Sequence, residues 1–269
     1  MNIEHPTSNV QRPIFSKNPL TCFVLLMSLV LAFTGCNTTT IVQMLDRHAL
    51  YQSTPLAYLQ AGNYNTSITT GQFKSIGTFG IGTFDGFAGE AVMLDGVVYQ
   101  IAGDGKITLP PDQAKLFFGS CLLFDVEKRF TMRHVESYTD FQKALQVYFS
   151  TNLHIRAIQV EGTFKSIRVS CLEKQTPPYK PFNEASRQAK VYTWKEMRGT
   201  LVGFWTPPSV PEAVMAHGFH LKFVSEDKTM GGHVIDFQAD KLTILMKNIM
   251  RLTVNYSPTA SSHFDTDPQ

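Results

Sequence analysis

The chain alternates apolar runs of period two with short polar or glycine-rich breaks, a pattern that predicts a protein built mostly of strands. The clearest case runs from Ala216 to Phe237. Phe219, Leu221 and Phe223 fall on one face of a strand, and His220 and Lys222 on the other. A polar connector ending in Gly231-Gly232 then turns the chain, with His233 at the start of the return. The predicted antiparallel pair brings His220, Lys222 and His233 into one small volume. His217 points to the opposite face from His220.

Residues 77–106 interleave glycine with apolar residues, and Leu94-Asp95-Gly96-Val97 carries a two-residue hairpin signal. No Lys-Ser/Thr follows these glycines and no helical pattern opens after them, so they are not a phosphate loop. They predict tight strands with close backbone approach. Glu90 lies in an otherwise apolar strand, where a carboxylate is paired, functional, or facing water at an edge. Further strands are predicted within Phe117–Phe130, over 154–170 and over 198–206. Helical spacing is found at Ile41–Leu50, in a short segment after 183, and at Thr139–Phe149, where Phe141, Leu145, Val147 and Tyr148 are apolar. Asp112, after Pro110-Pro111, is placed as the cap of a short helix. His134 and His154 have no partner at ligand spacing and are taken as ordinary surface or core histidines.

The length of 269 residues and 43% apolar content allow one or two domains with a real core. A net charge of +2 gives no reason to expect a nucleic-acid partner. Residues 1–36 stand apart. Arg12 and Lys17 precede an apolar run, Leu20 to Phe33, that is short for a membrane span. The run ends in Phe33-Thr34-Gly35-Cys36, similar to a bacterial lipobox with Cys36 as the acylated residue. Export follows, as a membrane-anchored lipoprotein or a periplasmic protein; an ordinary secreted protein and an uncleaved anchor are the alternatives. Export would leave Cys121 and Cys171 in an oxidising compartment, either as one disulfide or as two separate buried thiols.

The segment Gly218, Phe219, His220, Phe223, Gly231, Gly232, His233, Asp236 resembles the metal-binding hairpin of the acetolactate decarboxylase family. Three other stretches add to the resemblance: Ser53, Thr54, Leu59, Gly62 and Tyr64; the glycine-rich run with Glu90; and Arg198-Gly-Thr-Leu-Val-Gly-Phe-Trp-Thr-Pro, where the family has Glu before the Gly. It covers roughly Ser53 to Ser257. It implies an α/β, β-rich fold in two parts, with curved mixed sheets and few helices, divided here as 37–182 and 183–269. It implies a homodimer and conversion of 2-acetolactate, a 2-hydroxy-3-oxo acid, to acetoin and CO2, with zinc as Lewis acid. His220 and His233 correspond to metal ligands, and Glu90 and Thr83 to groups beside the metal.

Three departures accompany the resemblance. The second histidine of the hairpin is Lys222, and an ammonium has no lone pair for a metal. The family's arginine falls on Ser170; Arg168, about 7 Å away on the same strand face, is the substitute that could reach the pocket. The family's terminal acidic residue has no counterpart, since Asp265 and Asp267 come too early. The sequence therefore supports a zinc decarboxylase or a non-catalytic relative that binds a small anionic ligand or a partner, with Lys222 supplying the charge. A third route, an imine formed by Lys222 with the ketone, is chemically available to a lysine of lowered pKa.

Overall fold

The computed structural model describes residues 46–62, 64, 68–149 and 154–255, and they form two sheets packed face to face. The first holds β1 (Ala49–Gln52), β2 (Ile68–Thr69), β3 (Phe79–Phe84), β4 (Glu90–Leu94), β5 (Val97–Ile101), β6 (Ile107–Thr108), β7 (Lys115–Leu122) and β13 (Arg251–Val254). Its order is β13-β1-β7-β3-β4-β5-β6, with β2 beside β7. The second holds β8 (Lys128–Val135), β9 (Ile155–Cys171), β10 (Lys190–Thr206), β11 (Gly218–Ser225) and β12 (Gly231–Ile249), in the order β11-β10-β9-β12-β8. The start of β12 also pairs with β11, so this sheet curls closed at one end. Only β1 and β13 run parallel among the described pairs, which makes the first sheet mixed. Among the described residues, four α-helices, α1 (Leu56–Gln60), α2 (Thr70–Ile76), α3 (Tyr138–Phe149) and α4 (Phe182–Ser186), and a 3-10 turn at Asp85–Phe87 complete the order. This is the β-rich architecture with curved mixed sheets and few helices that the family resemblance implies.

The main core lies between the sheets. Phe79, Ile81 and Val92 of the first share a cluster with Val202 and Phe204 of the second, and the Phe79 and Phe204 rings meet edge-on at 6.0 Å. All six residues of β3 are buried, because the back of its sheet is covered too. Phe73 of α2 packs there against Phe84, Met93 and Leu116. A reciprocal capping box between Thr69 and Gln72 starts α2 and satisfies two of its free N–H groups. Helix α3 covers the outer face of the second sheet. Phe141, Leu145 and Phe149 recur every four residues and form its buried stripe. Phe141 meets Phe237 and Phe219 edge-on, and Phe149 lies against Trp205. Val147 and Tyr148, expected among its packed positions, lie off that stripe and are exposed.

The β4–β5 hairpin forms as predicted. Asp95 and Gly96 both have positive φ, 52° and 79°, the combination a two-residue turn of right-handed twist requires. Other expectations differ. Ala49 and Leu50 belong to β1 rather than to a helix, because β1 is held between β7 and β13; residues 41–45 lie outside the described ones. Asp112 caps no helix and instead forms an ion pair with Lys74. A division at residue 182 cuts through the second sheet, since β9 pairs along its length with both β10 and β12. The sheets divide instead between β7 and β8, and β13 returns to the first. Cys121 and Cys171 are separate buried thiols, in different core clusters. Residues 1–36, with Cys36, and Asp265 and Asp267 lie outside the described residues.

One buried acid is held at a cost. Asp85, in the turn between β3 and β4, has its Oδ1 buried without a hydrogen-bond partner. Burial pushes its pKa up to about 6, against the opposing pull of Lys115. Because the folded state binds this proton more tightly than the unfolded chain, Asp85 lowers stability at neutral pH. That penalty fades as pH falls through 6 toward 3.8. Asp85→Asn is expected to raise stability by about 1 kcal/mol at pH 7, after discounting for its partial exposure, and by much less at pH 4. Urea midpoints of both proteins at the two pH values measure this. An equal effect at both would show that the charge is not the cause.

Candidate functional site

A cavity of about 410 Å³ opens between the two sheets. The second sheet contributes a row of directly opposed residues: Ser170 on β9, His233 on β12, Lys222 on β11 and Val202 on β10. Opposed residues share a face, so the first three point into the cavity together. One step along, His220 stands opposite Phe204, and both line the same space. The rings of His220 and His233 are 4.9 Å apart, centroid to centroid, at an interplanar angle of 73°. The placement of the His220 backbone depends on a glycine. A Cβ at Gly203 of β10 would meet the backbone oxygen of His220 at 1.9 Å, so β10 and β11 can approach at that point only with no side chain between them.

From the first sheet come Thr83 of β3 and Glu90 of β4, which are register partners. Thr83 donates its hydroxyl to the Glu90 carboxylate at 3.1 Å. Lys222 crosses the cavity to the same carboxylate, forming an ion pair and hydrogen bond with Glu90 Oε2. Its Nζ also donates to the backbone oxygen of Gly82 and, at 3.5 Å, to that of Ala91. Three acceptors thus meet the three protons of an ammonium group. Lys222 is only 2% exposed and Glu90 is 17% exposed, so the pair is largely shielded from solvent.

Burial sets the electrostatics of the basic groups. It holds the His220 pKa well below the usual histidine range, with His233 and Lys222 adding to the effect. His233 is lowered too, chiefly by burial, while Glu90 opposes the shift. Both imidazoles are therefore neutral at neutral pH. Lys222 is lowered by burial and pulled back by Glu90.

These residues do not fit a zinc centre with three protein ligands. His220 and His233 offer two lone pairs. The third position is an ammonium whose protons are all engaged, and it draws away the nearest carboxylate, Glu90. Among the described residues, no group of three or more His, Cys, Asp and Glu is arranged to hold a metal ion.

The structure gathers Thr83, Glu90, Ser170, His220, Lys222 and His233 at one cavity. It does not bring Arg168 there. Arg168 is exposed, beside Thr193 and Asp236, and does not line the cavity. The wall ends at Ser170, and the guanidinium gains full hydration outside it. His217 is likewise exposed and bonds to the Val210 carbonyl. Several lining residues escaped the sequence reading: Ser120, Phe204, Thr206 and Glu212, together with a wall from α1 and α4 that carries Leu56, Gln60, Phe182 and Ser186. Phe204 and Thr206 were legible as one face of a framework strand, but nothing in the sequence set its register against His220.

Comparison with known proteins accords with this geometry. The family model described as alpha-acetolactate decarboxylase matches residues 50–267. The alpha-acetolactate decarboxylase of Lactococcus lactis subsp. cremoris is 33% identical over 77% of this chain and 87% of its own length. That of Brevibacillus brevis is 30% identical over 79% of this chain and 74% of its own. The crystal structure of the Bacillus subtilis strain 168 enzyme superposes with a TM-score of 0.75 at 28% identity, covering 79% of this chain and 90% of that one. A Staphylococcus aureus protein of unknown function, similar to the same enzyme, superposes with a TM-score of 0.73.

Proposed function

Because this chain belongs to the alpha-acetolactate decarboxylase family, we propose that it is a metal-independent member that binds a small oxygenated molecule in the family's cavity and does not decarboxylate it. The observation that carries this reading is the Lys222–Glu90 pair. A buried cation, fixed by a carboxylate and two carbonyls, stands between the two histidines and the first sheet. It supplies the positive charge that balances Glu90, which removes the carboxylate from the donors a metal could use. The serine at position 170 supports the same reading, since a hydroxyl cannot grip a substrate carboxylate as a guanidinium does.

The pair also limits what Lys222 does for a ligand. An anionic ligand held by Lys222 would compete with Glu90 for a charge already balanced. Imine formation is disfavoured for the same reason: the attacking nitrogen would have to leave three acceptors and lose a proton beside a carboxylate.

A second reading, a zinc-dependent decarboxylase converting 2-acetolactate to acetoin and CO2, draws on the two neutral imidazoles. Their rings are 4.9 Å apart and both line the cavity. Export and a lipid anchor at Cys36 are further parts of the proposal, resting on the pattern of residues 1–36 alone.

One experiment separates the readings. The purified chain is reconstituted with zinc and dialysed, its metal content is measured, and acetoin formation from racemic acetolactate is followed with and without EDTA. Far less than one zinc per chain and no acetoin above the spontaneous rate are expected, with Lys222→His raising zinc retention. Tightly held stoichiometric zinc with EDTA-sensitive turnover would establish the second reading instead. Turnover that resists EDTA would overturn the non-catalytic reading and point to the Lys222 amine.

A further inference from the structure

The described chain enters at an end of the molecule whose surface is amphipathic and lies apart from the cavity. Strand β1 begins there, β8 begins there and β12 ends there, and hydrogen bonds join them. The amides of Met250 and Arg251 donate to the His48 carbonyl, and the Glu127 amide donates to that of Met246. Asn248 donates to the Glu127 carboxylate from both its backbone and its side chain, each at 3.0 Å. Helix α3 ends at the same level. The guanidinium of Arg156, which stands opposite Asn248, lies 4.2 Å over the ring of Phe149, the last residue of α3.

The side chains of this surface combine exposed apolar groups with cations. Val126, Tyr148 and Met250 are 44%, 64% and 63% exposed. Tyr148 stacks on Phe130 of β8. Beside them stand Arg47, Lys128 and Arg129, all exposed. The nearby acids are engaged elsewhere: Asp46 pairs with Arg251, Asp125 with Lys247, and Glu127 bonds to Asn248. Among the described residues, Arg47, Lys128 and Arg129 have no carboxylate partner.

The interface of an anionic bilayer suits this mixture. It takes apolar side chains and a tyrosine ring at headgroup depth, and it attracts lysine and arginine. A second copy of the chain suits it less, because a two-fold contact would set the cations against themselves. The position agrees with a bilayer too. Ten residues lead from Cys36 to Asp46, a reach of at most about 35 Å when fully extended. A lipid on Cys36 would thus hold this end near the membrane. The turn at Glu226–Lys228 lies at the other end of β12, a strand of 19 residues.

We propose that this end of the protein docks on an anionic phospholipid bilayer, with Val126, Tyr148 and Met250 among the headgroups and Arg47, Lys128 and Arg129 against lipid phosphates. The inference rests on the anchor at Cys36 put forward above, and it adds the face that the anchored protein turns to the membrane.

The test is hydrogen exchange of the full chain, followed by mass spectrometry on vesicles of phosphatidylcholine alone or mixed with phosphatidylglycerol. Exchange over 46–48, 123–129 and 250 is expected to slow on the mixed vesicles, to recover at high salt, and to stay fast on phosphatidylcholine. Exchange over 226–229 is expected to be the same on both. Each lysine or arginine at an anionic surface is worth about fivefold in binding, so Arg129→Glu is expected to remove at least about fivefold of the slowing. Lys195→Glu, an equal change of charge on β10, is expected to remove none. Equal exchange on the two kinds of vesicle overturns the proposal, as does slowing that extends to 226–229 or falls equally with Lys195→Glu. A chain that fails to float with the mixed vesicles overturns it as well. The mass of the peptide holding Cys36 judges the anchor separately: slowing at this face with an unmodified Cys36 supports the docking surface and removes the lipid.

Discussion

Replacing Lys222 with methionine is expected to lower stability by about 3 kcal/mol, because it leaves the Glu90 carboxylate in the cavity wall without its counter-ion. The side chains are similar in length, so packing changes little. What changes is charge. Glu90 keeps only the Thr83 hydroxyl and a small exposed edge. The figure is set at the lower end of the range for breaking a buried pair, because 17% of the Glu90 side chain still reaches solvent. In a domain of this size the loss corresponds to a fall in Tm of roughly 6–12 °C. The double variant Lys222→Met/Glu90→Leu is expected to recover most of it, since removing both charges together is often close to neutral. A double-mutant cycle by chemical denaturation measures the coupling. A single variant as stable as its parent would show that the pair contributes nothing, and the argument against a metal would lose its foundation.

Gly203→Val is expected to be nearly as costly, at about 3 kcal/mol, for a steric reason. The new Cβ would lie 1.9 Å from the His220 carbonyl oxygen and 3.0 Å from the Leu221 Cα. Both are backbone atoms in a paired strand. Strand β10 cannot retreat, because β9 is bonded along its other edge. The strain therefore falls on β11 at the residue that carries the His220 ring. Denaturation midpoints report the cost, and the imidazole NMR signal of His220 reports the displacement. A variant with parental stability and an unmoved His220 signal would mean that the close approach does not position the ring. Gly218, in β11, is constrained differently: no atom lies within 4 Å of its Cβ position, but its φ of +80° strains any side chain placed there.

These residues also mark what the sequence can and cannot express. The hairpin carrying His220, Lys222 and His233 was legible because period-two alternation and the Gly231-Gly232 break are local signals. So was the Asp95-Gly96 turn, where two positive φ values leave few residue choices. The partner of Lys222 was not legible as such. Glu90 and Lys222 each looked anomalous as charges in apolar strands, and opposite charges so placed invite pairing. Yet 132 positions separate them, and their meeting depends on how one sheet lies on the other. Arg168 shows the converse error. It shares β9 with Ser170, but strand spacing does not reveal where a cavity wall ends. Val147 and Tyr148 failed more simply, because an apolar residue beside a helical stripe is not part of it. The division at 182 failed because a break in pattern between β9 and β10 marks a turn within one sheet.

The parallel pairing of β1 with β13 has a mechanical consequence. Ala49 lies beside Arg251 and Gln52 beside Val254, so the first and last described strands run side by side in one direction. Tension applied between the start of β1 and the end of β13 would pull the strands in opposite senses along their length. The bonds between them would then share the force in shear, instead of opening one at a time as in a hairpin pulled from its open end. Both strands close the edge of the eight-stranded sheet, and β13 follows β12 after one intervening residue. A chain drawn from those two points would resist as a clamp, shielding the cavity until that edge gives way.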